Sequence, residues 1–92
     1  TVNINFEKFG KPLKAYILIT VDQGKLSQSQ MGKHIKAIEE VESVDIVTGN
    51  TDILAEVRVK DMHELNNLIT EKIRKIDGID KTQTLMVLEE IK

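Results

Sequence analysis

The sequence predicts an α+β domain of the ferredoxin-like kind, a βαββαβ sandwich with a four-stranded antiparallel sheet and two helices on one face. Three observations point there. The run Leu13–Asp22 is apolar and β-branched, as a strand should be. Two later segments repeat apolar residues at helical spacing. Between those segments, Ile46-Val-Thr-Gly-Asn-Thr-Asp-Ile-Leu-Ala-Glu-Val57 sets two β-branched runs on either side of a tight turn. Gly49 and Asn50 tolerate the positive φ of such a reversal, so the stretch reads as a β-hairpin.

Taken in order, Val2–Phe6 alternates apolar and polar residues and suggests a short strand, which Gly10-Lys11-Pro12 interrupts. The strong strand of residues 13–22 ends at Asp22-Gln23-Gly24. Ser27 or Ser29 then caps a helix running to about Val41, with Met31, Ile35, Ile38 and Val41 as its apolar stripe. Strands follow at about 43–49 and 52–60. Asp61 caps the second helix, with Glu64 three residues later completing a capping box. Leu65, Leu68, Ile69, Ile73 and Ile76 form its stripe, and Gly78 stands where a left-handed cap is expected. The last strand is expected from about Lys81 to Ile91. Each helix should make a right-handed crossover.

At 92 residues the chain is one domain. A 40% hydrophobic and 30% charged composition suits a globular protein and argues against disorder. The net charge is -2 and no basic stripe is visible, so the chain alone is not expected to bind nucleic acid. It has no Cys, which excludes disulfides, thiol nucleophiles and thiolate metal sites and fits a reducing cytoplasm. No apolar run approaches membrane-spanning length, and no signal peptide is visible.

Two helices cover one face of the sheet, yet the strands are apolar on both. The first main strand sets Ala15, Ile17, Ile19 and Val21 on one side and Tyr16 and Leu18 on the other; the last sets Leu85 and Val87 against Met86 and Leu88. A sheet with one wet face should alternate more cleanly. The helix-free face is therefore expected to be covered by another subunit, the blander alternative being that the N-terminal segment folds over it.

No catalytic constellation is present: there is no glycine-rich phosphate loop, nucleophile elbow or zinc-protease helix, and Glu39-Glu40 and Glu89-Glu90 read as solvated faces. His34 and His63 lie in different helices and make no metal site, and no cofactor is implied. Aromatic residues are 3% of the chain, too few for base stacking. The hairpin remains. Its loop amides can hold a carboxylate and Asp52 can hold an ammonium group, which together match a free amino acid; the plainer reading is that Asp52 caps its own turn. Thr82-Gln83-Thr84 is a second polar cluster. The topology is expected to place it at the opposite end of the sheet from the hairpin. A seven-residue strand spans about 23 Å, so a shared ligand would need two subunits.

The segments Val47-Thr-Gly-Asn-Thr-Asp-Ile-Leu-Ala-Glu-Val57, Val59-Lys-Asp-Met-His-Glu-Leu65, Ile76-Asp-Gly-Ile79 and Thr82-Gln-Thr-Leu85 together resemble the C-terminal effector (RAM) domain of the Lrp/AsnC, or leucine-responsive and feast/famine, transcription regulators. The resemblance covers residues 13–92. Residues 1–12 are similar to the family's linker strand, which divides the chain into a linker (1–12) and an effector domain (13–92). It implies dimers formed through the sheets, with further assembly into rings of four dimers. It also implies an amino-acid effector held between subunits by Gly49, Asn50, Thr51 and Asp52, with Thr82 and Thr84 from a neighbour. The family hairpin often has a bulkier residue where this chain has Thr51. With no helix-turn-helix in the sequence, the chain is expected to be a fragment or a stand-alone member. The rivals are an ACT-like sensing module, with its ligand near Asp22-Gln23-Gly24, and a purely structural assembly domain. An acylphosphatase-like enzyme would need an Arg in the first loop, and Gln23–Gln30 holds none.

Overall fold

A computed structural model describes residues 11–22 and 26–91; the expected strand and linker within residues 1–10 lie outside them. The elements are β1 (Leu13–Val21), α1 (Gln28–Lys36), β2 (Val41–Ile46), β3 (Ile53–Val59), α2 (Met62–Asn67), a π-helical continuation (Leu68–Ile73) and β4 (Ile79–Met86). The strands pair antiparallel in the order β2-β3-β1-β4, which is the ferredoxin-like arrangement.

The alternation of β1 and β3 decides the core. Ala15, Ile17 and Ile19 lie opposite Val57, Ala55 and Ile53, and all six are fully buried. Met31 and Ile35 of α1, with Leu65, Leu68 and Ile73, close over them. Each large side chain so buried contributes about 1.5–3 kcal/mol.

Local chemistry starts the helices. Ser27 accepts from the Gln30 amide at 3.1 Å, and Gln30 accepts from the Ser27 amide at 3.0 Å, a reciprocal box. Asp61 accepts from the Glu64 amide at 2.8 Å, but Glu64 reaches back to the amide of Lys60 rather than Asp61. The capping box expected at α2 is therefore displaced by one residue.

Several features differ from expectation, among them β2, expected over about 43–49 and found at Val41–Ile46. First, α1 stops at Lys36, not near Val41. Ile38 donates to the Ile35 carbonyl at 3.0 Å, tightening the last turn. Val41, 4% exposed, is spent on β2 opposite Val57. Its spacing suits either element, but pairing with β3 buries it in a ladder. Second, the second helix is not uniform. Arg74 donates to Ile69 at 2.9 Å across five residues. Leu68 and Ile73 are also five apart, and widening the turn brings both to the buried face. Third, β4 begins two residues early and ends five early. Its ladder with β1 closes at the bond from the Val87 amide to the Lys14 carbonyl, 3.0 Å. Beyond it, Leu88 and Ile91 are 97% and 83% exposed, so neither joins a sheet face.

Gly78 has φ +99, as expected of the residue after the helix, and a Cβ there would sit 2.9 Å from the Met31 sulfur. This close approach seats β4's first residues against α1. On the helix-free face, Tyr16, Leu18 and Leu54 are half-buried and Leu85 is exposed. Lys14, Glu56 and Arg58 share that face, so its apolar centre is flanked by charge.

Candidate functional site

The hairpin is closed by the Val47 amide donating to the Asp52 carbonyl at 2.9 Å. Gly49 sits at φ +116 with open space around it. Thr48, Gly49 and Asn50 are exposed, while Thr51 and Asp52 are half-buried. The turn thus presents backbone amides to solvent and keeps one carboxylate at its foot.

Asp52 does not cap its own turn. Its backbone amide donates to Ile19 at 3.0 Å. Its Oδ2 accepts from the Val21 amide at 3.0 Å and its Oδ1 from Gln28 Nε2 at 3.3 Å. The Val21 amide is available because it faces the hairpin beyond Ile19–Ile53, the last pair of the β1–β3 ladder. The hairpin carboxylate is therefore wedged between the end of β1 and the first turn of α1. No Lys or Arg pairs with it among the described residues.

Thr82 and Thr84 lie on β4, opposite Ile19 and Ile17, on the helix-covered side near the sheet's outer edge. Thr82 Oγ1 accepts from Arg74 Nη1 at 3.4 Å. The expectation that this cluster and the hairpin occupy opposite ends of the sheet is wrong. Ile53, beside Asp52, pairs with Ile19, and Ile19 pairs with Thr82. Both clusters lie at one end, separated by β1 and hence by two strand spacings, about 10 Å. Because β1 and β4 are antiparallel, β4 starts where β1 stops.

Sequence reasoning missed Gln28. Nothing in its neighbourhood marks it, because its partner is 24 residues away. The Asp22-Gln23-Gly24 locus of the ACT-like alternative falls partly outside the described residues. His34 and His63 are exposed, and no group of three metal-ligating side chains occurs among the described residues. Between α1 and the edge strand β2 runs an open groove of about 420 Å³, floored by Gly32, Val44 and Ile46 and lipped by Lys33 and Lys36. No described helix is long and apolar enough to cross a membrane.

Residues 14–92 match the family model of the Lrp/AsnC ligand binding domain. The chain is 33% identical over 93 residues to an uncharacterized HTH-type transcriptional regulator of Pyrococcus furiosus, matching 100% of this chain but 62% of that protein. It thus spans about three-fifths of such a relative's length. A transcriptional regulator of Neisseria meningitidis, solved with L-methionine, superposes with a TM-score of 0.91 at 24% identity, covering 100% of this chain and 60% of that one; this shows the shared fold. A feast or famine regulatory protein of Mycobacterium tuberculosis complexed with L-methionine gives 0.84 at 27% identity, over 100% of this chain and 60% of that one. These relatives are transcriptional regulators rather than enzymes.

Proposed function

The chain belongs to the Lrp/AsnC ligand-binding domain family, and on that premise we propose that it is the amino-acid-binding and oligomerising domain of a transcription regulator. The observation that carries the reading is Asp52. A half-buried carboxylate with no cationic partner among the described residues sits at the foot of an exposed turn. Its remaining lone pairs suit an ammonium group, and the amides around Gly49 suit a carboxylate. L-methionine, bound by two of the similar structures, is the first effector to try.

Self-association is part of the same reading. Tyr16, Leu18, Leu54 and Leu85 gather on the helix-free face, and Leu88 and Ile91 project from the C-terminal segment beside it. A second copy covering that face would remove this apolar surface from water. Thr82 and Thr84 lie on the helix-covered side near the free edge of β4, where a neighbour approaching that edge would bring its hairpin to them, with β1 separating them from their own. A dimer is the smallest such assembly and a ring of four dimers a larger one.

A thermal-shift screen of the twenty amino acids, run beside light scattering, tests both halves. At least one amino acid should raise the melting temperature and shift the assembly, and Asp52→Ala should weaken its binding about tenfold, near 1.4 kcal/mol. Leu18→Lys should split the assembly. A monomer at tens of micromolar that no amino acid stabilises would overturn the reading.

A further inference from the structure

We propose that Gln28 is part of the effector site and sets its affinity, by competing with the ligand's ammonium group for Asp52 Oδ1. This rests on the reading of the hairpin as an amino-acid site and adds a residue to it.

The two oxygens of Asp52 are held differently. Oδ2 takes a backbone donor, the Val21 amide, at 3.0 Å. That donor is positioned by the sheet, just beyond the last β1–β3 pair, so it fixes the carboxylate's orientation. Oδ1 takes a side-chain amide, Gln28 Nε2, at the longer distance of 3.3 Å. Gln28 opens α1 and is half-buried, whereas Ser27, Ser29 and Gln30 around it are exposed. Its side chain therefore folds onto the hairpin instead of extending into water. Gln28 thus takes up a lone pair of Oδ1 that an ammonium group would need.

The chemistry makes the exchange one-way. A half-buried carboxylate left without donors is costly, so an occupant is favoured when the site is empty. Gln28 supplies a neutral N–H, enough to satisfy the oxygen. An ammonium group brings a full opposite charge and makes the stronger bond, so it displaces the amide. The protein thus spends part of the ligand's binding energy on releasing Gln28. That cost lowers the affinity and discriminates against ligands without a cationic amine.

The test compares the full chain with its Gln28→Ala variant, titrating each with the twenty free amino acids by calorimetry. Alanine is a good helix former at this position, so α1 should persist, and a ligand-free melting temperature lowered by no more than the loss of one hydrogen bond checks this. With the competitor removed, the amino acid that binds the parent should bind about three- to tenfold more tightly, the scale of one hydrogen bond. The α-hydroxy acid of the same side chain, which has no ammonium group, should gain nothing. Equal or weaker binding of the amino acid by Gln28→Ala would overturn the role given to Gln28 while leaving the effector site standing. An equal gain for the hydroxy acid would also overturn it, because the effect would then not pass through Asp52. If neither protein binds any amino acid, the effector reading itself fails and the competition fails with it.

Discussion

The two ends of the sheet are built from different chemistry. Where β1 begins and β3 ends, charges meet charges. Lys14 pairs with Glu56 and Glu90 at 3.5 Å, Arg58 with Glu90 at 3.0 Å, Lys11 with Glu64 at 3.0 Å and Lys72 with Glu40 at 2.9 Å. Where β1 ends and the hairpin turns, neutral groups hold the structure. The Asp22 amide donates to Gly78 at 2.7 Å, the Lys81 amide to Thr20 Oγ1 at 3.1 Å, and Asp52 accepts from the Val21 amide and from Gln28 Nε2. The first end has matched its carboxylates with cations and is closed to a new ligand. The second keeps a carboxylate oriented without a cationic partner among the described residues, which suits it to receive a cationic ligand.

That contrast can be broken most severely at Gly78. Gly78→Ala would put a Cβ 2.9 Å from the Met31 sulfur at a φ of +99. We expect a loss of about 2–4 kcal/mol in denaturant unfolding, strain and overpacking together. The hairpin end would then lose the seat that holds β4 against α1.

Next comes the ion-paired end. Glu40 is 8% exposed, and both its oxygens take Lys72 Nζ at 2.9 Å. Lys72→Ala should cost about 1–3 kcal/mol, because it strands a buried carboxylate. Amino-acid binding at the hairpin should be unaffected. If the variant instead abolished binding, the two ends would not be independent.

A smaller effect is expected at Gly49. A Cβ there meets nothing, so Gly49→Ala carries only the strain of φ +116. The cost should be about 1 kcal/mol by thermal unfolding.

The smallest effect is a pH dependence confined to the ion-paired end. Burial alone would raise the Glu64 carboxyl, but its bonds from the Lys60 amide and the Lys11 ammonium outweigh that and hold it below the usual range. A carboxylate whose folded pKa is lowered adds stability above its unfolded pKa and loses it as pH falls through the folded value. Glu64→Gln should therefore flatten the acid limb of the stability profile by less than about 1 kcal/mol. It should leave the limb near neutral pH unchanged. An unaltered acid limb would show that the Lys11 and Lys60 contacts do not persist in solution.

Much of this molecule was legible in its sequence. The order of elements follows from apolar spacing, which changes from two in β1 and β3 to helical in α1 and α2. Gly49 and Gly78 were marked because a reversal and a helix end both need a backbone conformation that other residues resist. The hairpin with Asp52 at its foot followed from local turn chemistry.

What the sequence determined by itself is therefore local: which residues alternate, which repeat at a helical turn, and where the chain must reverse. Tertiary structure decided what depends on distant partners. Val41 fits a helix stripe or a strand, and only pairing with Val57 chose the strand. Leu68 and Ile73 drove a π-helical register because a common core waited beneath them. Antiparallel pairing of β1 with β4 brought Thr82 to the hairpin's end of the sheet. The carboxylate of Asp52 turned from its own loop to Val21 and Gln28, 31 and 24 residues away. Local periodicity carries no record of such contacts, because a hydrogen bond across the fold imposes no spacing on the residues beside either partner.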